Sequence, residues 1–459
     1  MLTLDEALQM DRAGISRLYK EHVNPGLATI LGLLDFDKRF VRAQGPYLWD
    51  GEGNRYLDCL GAYGALNLGH NPPEVLAAIE RVRERPNLVQ ASLNPLAAAL
   101  AHNLAEVAPG KLQHCFFCNS GAEAVEGALK LARAATGRTD IIYCEGSFHG
   151  KTLGALSVTG REKYQRPFEP LIPGCRCIPY GDLAALEQAL KAGPAAAFIV
   201  EPIQGEGGIV VPPEGYLAGA RELTSRYGAL LIVDEVQTGL GRTGALFACD
   251  HEKVVPDILC LAKSLGGGVM PVGAFLTTAE IWQRAYGGLD KSLLHTSTFG
   301  GNTWAMAAGL AALKALVEGN LAEEARQKGE FLRRRLAERV EKHPMVSAIR
   351  GRGLMIGIEF VGKGKGLWDR LTGGLAGRLR EEYTASLVAG VLLNQYRILT
   401  AYTLNNPNVI RLEPPLTVTY EDLEAVVAAL EEILSQHGSF GSLALASGRT
   451  VLRSLVRRE

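Results

Sequence analysis

The stretch Leu230–Gly244, LLIVDEVQTGLGRTG, decides how this chain is read. Four apolar residues run straight into Asp234 and Glu235, which reads as a buried strand ending in carboxylates. The second half, Gly239-Leu240-Gly241-Arg242-Thr243-Gly244, matches the G-x-G-x-x-G pattern of dinucleotide sites. That pattern carries its meaning only when the first glycine directly follows a strand and a helix opens at the third. Here Val236, Gln237 and Thr238 intervene, and ALFACDHEKVVPD beyond the glycines has no amphipathic period. A nicotinamide site is therefore set aside, and Asp234 at the strand end becomes the residue of interest.

Other short apolar runs surround this one. DIIYC, AAFIVEP and DILCLA are each flanked by helical patterns, and runs this continuously apolar mark strands covered on both faces. Strand, crossover and strand in repetition predict a mostly parallel α/β sheet. In such sheets ligands bind beyond the carboxyl ends of the strands. Those ends carry Glu201, Asp234 with Gln237 three residues on, and Lys263 followed by Gly266-Gly267-Gly268. Alone, Lys263 reads equally well as a surface lysine opening a loop. Upstream, CNSGAEAVEGALK predicts a helix over 122–135, closed by Thr136-Gly137. Ser120-Gly121-Ala122 at its start would aim free amides and the helix dipole at an anion. An ordinary serine cap gives the same signature. EGSFHGKT places Phe148 and His149 in a glycine-flanked loop, where the aromatic either stacks on a flat ring or packs in a turn.

Taken together, these residues ask for a group with an anion, a flat ring, a protonatable nitrogen and a carbonyl. Pyridoxal 5'-phosphate has all four. Its chemistry needs a lysine that holds the aldehyde and moves a proton, and a carboxylate beside the ring nitrogen. Lys263 and Asp234 are the catalytic candidates.

Composition agrees with a cofactor enzyme. The 459 residues carry 48 Lys plus Arg against 49 Asp plus Glu, so no basic surplus suggests nucleic acid. Hydrophobic residues make up 47%, enough for a large core. Cys115-x-x-Cys118 and Cys175-x-Cys177 lack a second pair at zinc spacing, so no metal is expected and the thiols read as reduced. MLTLDEALQM has neither the basic start nor the apolar run of a signal peptide, and no apolar span suits a bilayer. A cytoplasmic protein is expected. Residues 1–70 read as helices followed by a hairpin, PYLWDGEGNRYLDC, turning at Gly51–Asn54. Residues 71–334 form the large α/β unit, 335–438 a smaller α+β domain, and 439–459 a tail with four arginines. In the smaller domain GLMIGIEF and NVIRLEPPL predict strands, and Thr419 caps a helix over 420–434 that Gly438 ends.

Several motifs carry a resemblance. NSGAEAVEGALKLAR, FHGKTLGALS, EPIQGEGG, LIVDEVQTGLGRTG, PDILCLAKSLGGG, HTSTFGGN and IRLEPPL resemble, in order and spacing, the class III (ornithine-type) aminotransferases over about residues 22–436. The resemblance implies fold type I, with a seven-stranded type of sheet, and a homodimer, with a tetramer as the alternative assembly. It implies that Lys263 carries the cofactor aldehyde, Asp234 meets the ring nitrogen, and Val236 and Phe148 flank the ring. Gln237 would bond the ring hydroxyl, Ser120, Gly121 and Ala122 the phosphate, with His149 in the same site. Thr298 would reach the phosphate of the neighbouring subunit's site. Arg411 would clamp a substrate carboxylate, with Glu201 pairing Arg411 when none is bound. Within the family, KLQHCFFCNSGAEAVEGALKLA and TLNNPNVIRLEPPLTVTYED resemble the putrescine (diamine) aminotransferases, which move an amino group from a diamine donor to a 2-oxo acid. Ornithine or acetylornithine aminotransferase is the alternative, and an aminomutase a more distant one. Gly362–Tyr396 is long for the family, and Tyr402 in YRILTAY is expected to reach the substrate tunnel.

Overall fold

A computed structural model describes residues 1–89, 91–360, 375–437 and 441–443. The tail expected over 439–459, apart from 441–443, lies outside the described residues, as do Gly438 and residues 362–374 of the long stretch; 375–396 form a helix.

Three sheets organise the chain. The first contains β1 (Phe40–Gln44), β2 (Tyr47–Asp50) and β3 (Arg55–Asp58). The central sheet contains β4 (His114–Cys118), β5 (Asp140–Cys144), β6 (Cys175–Ile178), β7 (Ala195–Val200), β8 (Leu230–Asp234), β9 (Ile258–Leu261) and β10 (Gly273–Thr277). From the C-terminal region come β11 (Val346–Arg352), β12 (Met355–Phe360), β13 (Ile398–Leu399), β14 (Ala401–Tyr402) and β15 (Val409–Leu412). The central order is β4-β10-β9-β8-β7-β5-β6, parallel except for β10, which runs against both neighbours. This is the α/β architecture the apolar runs predict. The sequence reading did not identify β4, β6 and β10.

The continuity of the apolar runs has a direct cause. On β8, Leu231 and Val233 point into one core cluster and Ile232 into the other; on β9, Leu259 and Leu261 oppose Ile258 and Cys260 in the same way. With both faces covered, no position is left for a polar side chain. The helix Gly121–Thr136 closes one face: Ser120 Oγ accepts from the Glu123 amide at 3.2 Å, and Gly137 ends it at φ 67°. The N-terminal hairpin does not stand alone. β13 adds to β3 in parallel, pairing Ile398 with Leu57, so chain start and chain end share a sheet. β11, β12, β15 and β14 form the third sheet, and the helix Tyr420–Gln436 is capped by Thr419 and Asp422 as expected.

The glycines of Gly239–Gly244 make a loop rather than a helix start, with Gly241 at φ 93° and Gly244 at φ 90°. Arg242 within it has no exposed surface. Its guanidinium donates to Leu354 O (3.0 Å), Pro414 O (2.5 Å) and Asn67 Oδ1 (2.6 Å), tying the β8 loop to the C-terminal strands and the N-terminal segment. Burial pulls its pKa down to about 10, so the charge is held under strain. Arg242→Met should leave these buried acceptors unpaired and lower stability by on the order of 3 kcal/mol. Denaturant unfolding checks this: the midpoint should fall at constant slope, and an unchanged midpoint would show that Arg242 holds nothing together.

Candidate active site

A cavity of about 480 Å³ opens where the carboxyl ends of the central strands meet. Strand geometry delivers its walls. β4 leads into Asn119–Ala122, β5 into Phe148 and His149, β7 into Glu201, β8 into Asp234, Val236 and Gln237, and β9 into Lys263. All of these side chains or amides line the cavity, so the residues singled out at the strand ends do converge.

Asp234 sits at the back, almost fully buried. One oxygen lies 2.7 Å from His149 Nδ1 and the other accepts from the Val236 amide at 3.0 Å. His149 is itself buried, and its Nε2 has no hydrogen-bond partner. These two contacts, one from the His149 ring and one from the Val236 amide, fix the orientation of the Asp234 carboxylate at the cavity wall. Glu201 is also buried, 5% exposed, with its oxygens taken by the Phe148 amide (2.9 Å) and the Gly205 amide (3.2 Å). Burial, aided by the nearby Asp234 charge, raises its pKa to about 7 against the pull of His149 and the two amides.

Lys263 opens the turn after β9 with φ 47°, a left-handed backbone that costs a lysine roughly 1–3 kcal/mol. The strain throws its side chain into the cavity, where no described residue pairs with the ammonium. Burial lowers its pKa below the ordinary lysine range, opposed by the fields of Glu413 and Glu206. A lowered pKa eases loss of the proton that nucleophilic and base chemistry at Nζ requires. The amides of Gly121 and Ala122 at the helix start have no acceptor among the described residues, which leaves donors for an anion. Gly121 is required there: a Cβ would come within 2.8 Å of Val236 Cγ1. Free amides, an aromatic wall, a buried aspartate backed by histidine and a lysine of lowered pKa match the phosphate, ring, ring nitrogen and aldehyde of pyridoxal phosphate, so the residues present fit that group.

The distal end differs from expectation. Arg411 is fully buried, but its carboxylates are Glu206 (Oε2 to Nη2, 2.6 Å) and Glu413 (Oε2 to Nη1, 3.2 Å), not Glu201. Glu201 stays at the strand end under the Phe148 loop, whereas the Gly205–Gly208 turn carries Glu206 across to Arg411. Tyr63 lies over the guanidinium, 5.0 Å from ring centre to Cζ. Gln237 donates through Nε2 to both Glu413 oxygens, at 2.9 and 3.0 Å. Arg411, Glu206 and Glu413 are not among the residues that line the cavity and join it through Gln237; Tyr402 on β14 and Thr298, exposed in the loop after His295, do not line it either. The sequence reading missed Glu206, Glu413 and Tyr63. Arg411 and Glu413 stand two apart at the end of a strand, hence on one face, which was the available signal for the second.

Comparison with known proteins decides the family. The Aminotransferase class-III profile matches residues 36–434. The ornithine aminotransferase of Toxoplasma gondii, crystallised with partial occupancy of PLP at its active site, is 32% identical, spanning 98% of this chain and 100% of its own, at a TM-score of 0.82. The acetylornithine aminotransferase of Elizabethkingia anophelis is 32% identical, spanning 94% of this chain and 100% of its own, at 0.75. The omega transaminase of Pseudomonas jessenii, in complex with PMP, is 27% identical over 87% of this chain and 92% of its own, at 0.78.

The chain is a class III aminotransferase.

Its fold is fold type I, its cofactor is pyridoxal 5'-phosphate, and its reaction is transamination between an amine donor and a keto acid. Among the described residues no single helix is long and apolar enough to cross a membrane.

The raised pKa of Glu201 sets a stability prediction for the aminotransferase. Its folded pKa exceeds the unfolded value, so the folded state holds a proton that the unfolded state has released between about pH 4.5 and 7. Stability is lost as pH rises through that window and is level above it. Glu201→Gln removes this dependence, so the variant should gain on the parent by up to about 3 kcal/mol between pH 5 and pH 8. Melting curves at the two pH values check it; a constant difference would mean that Glu201 titrates normally.

Proposed function

We propose that this aminotransferase takes a terminal amino group from a diamine such as putrescine or cadaverine. It passes the group to a 2-oxo acid such as 2-oxoglutarate or pyruvate and leaves an amino aldehyde. The observation that carries the reading is the closure of Arg411 between Glu206 and Glu413. With both carboxylates in place, the far end of the site offers negative charge to a distal ammonium and withholds the guanidinium from a carboxylate. The oxo acid half of the reaction requires Glu206 to swing aside so that Arg411 can take the acceptor's carboxylate in a bidentate contact.

Bound pyridoxal phosphate supplies an electron sink for the donor carbon. The chain does the rest. Lys263 would hold the cofactor aldehyde, and its Nζ would take the proton from the donor's terminal carbon. Asp234, oriented by His149, keeps a proton on the ring nitrogen. Phe148 and Val236 flank the ring, and Gly121 and Ala122, opened by Ser120, hold the phosphate. Gln237, which lines the cavity and donates to Glu413, would meet the ring hydroxyl. In a homodimer, Thr298 would serve the neighbouring site's phosphate, which suits its place outside its own cavity. Residues 71–334 act as the cofactor-holding unit, and 335–438 with the N-terminal 1–70 as the unit carrying Arg411. Tyr402 borders the approach to that end, and the reduced thiols suit a cytoplasmic setting.

A second reading has its own support: the similarity to ornithine and acetylornithine aminotransferases, at 32% identity over nearly the whole chain. One experiment separates the two. The cofactor-loaded protein is mixed with single donors and no acceptor, and the cofactor absorbance is followed. Putrescine or cadaverine should bleach the band, with ornithine and acetylornithine slower by at least tenfold; the reverse order would establish the second reading. Lys263→Ala should abolish turnover while preserving the fold by circular dichroism. Near-parental activity in that variant would overturn the role of Lys263.

A further inference from the structure

The donor reading uses the charge of Glu413 but leaves its fixed position unexplained. An exchange in which one acid releases the guanidinium needs only Glu206, yet a second carboxylate is held against Arg411. Glu413 has no exposed surface. Its amide donates to Cys59 O at 2.8 Å, and its side chain is pinned from both sides, by Arg411 Nη1 at 3.2 Å and by Gln237 Nε2 at 2.9 and 3.0 Å. It has no loop to swing on. Glu206 is the opposite case. It lies in a glycine-rich turn, and the oxygen that meets Arg411 also accepts from the Leu404 amide at 2.7 Å.

We propose that Glu413 is a positioning residue that sets substrate class: a fixed counter-ion that keeps Arg411 compensated after Glu206 departs. A carboxylate arriving at Arg411 therefore binds against a neighbouring negative charge that cannot move away. Its affinity is held down, while a donor with a cationic far end faces no such opposition. With both acids in place, the cluster of one guanidinium and two carboxylates is anionic, which favours a diamine. In a low-dielectric site a fixed charge within about 4 Å acts strongly, since little water screens it. Through Gln237, which lines the cofactor cavity, the same residue also couples the far end of the site to the ring edge. This inference deepens the diamine reading and rests on it for the direction of the donor preference.

The test uses the cofactor-loaded protein and glutarate, a five-carbon dicarboxylate that binds without turnover. In Glu413→Gln, which keeps the volume and removes the charge, glutarate measured by calorimetry should bind about tenfold tighter than in the parent. The KM for 2-oxoglutarate should fall, with the change in KM larger than that in kcat. Glu413→Thr, with a smaller side chain, must show the same direction of change if the charge is responsible, and stands in should the glutamine variant fold poorly. Unchanged or weaker glutarate binding in a folded variant overturns the proposal. Because glutarate binding needs no amine donor, failure of the diamine reading would appear separately, as a parent protein that prefers amino acid donors while the glutarate result stands.

Discussion

Arg411 has no exposed surface, and a guanidinium removed from water destabilises a fold by several kcal/mol unless carboxylates compensate it. The arrangement of the distal site follows from that requirement. Glu206 arrives from the turn after β7, Glu413 from the end of β15, and Tyr63 covers the remaining face with its ring. Each comes from a different part of the chain, so the central sheet, the third sheet and the N-terminal segment are bound together at one cation. Residues 61–64 show the strain involved: Ala62 and Tyr63 both adopt left-handed backbone, at φ 47° and 60°. Such residues persist only where the surroundings fix them.

The same logic operates at the cofactor end. Asp234 is buried with His149 behind it, and Lys263 lines the cavity from a backbone conformation that lysine seldom adopts. The rigid sheet is what makes these placements reproducible. β7, β8 and β9 lie side by side in parallel, so three strand ends deliver Glu201, Asp234 and Lys263 within one cavity without a long loop. Both ends of the site therefore sit on fixed scaffolding, and the proposed exchange at Arg411 falls to Glu206.

How much of this was legible in the sequence depended on periodicity. Strands buried on both faces were readable because nothing polar interrupts them, and the residues just beyond their ends were readable as site candidates. β6, with an arginine in CRCI and half-exposed positions, gives no such run, and the apolar run of β10, Ala274-Phe275-Leu276, is short and begins after a glycine. Glu201 and Glu206 lie in one motif, EPIQGEGG, and only the turn between them determines which reaches Arg411; its path is set by contacts distant in sequence. Tyr63 could not be placed because GAYG does not announce a left-handed turn. Glu413 was within reach, standing two residues from Arg411, but IRLEPPL drew attention to the cation and away from its neighbour. Thr298 was named through resemblance and Tyr402 as a departure from it, and neither lines the cavity of a single chain.

The central claim is that the turn after β9 presents Lys263 as the covalent anchor for pyridoxal phosphate. Borohydride reduction of the loaded protein, followed by digestion and mass spectrometry, tests it most directly. The account predicts a pyridoxyl mass on the peptide containing Lys263, with the other lysines unmodified at equimolar cofactor. A label on a different lysine, or none on a protein that nonetheless retains the cofactor, would contradict it.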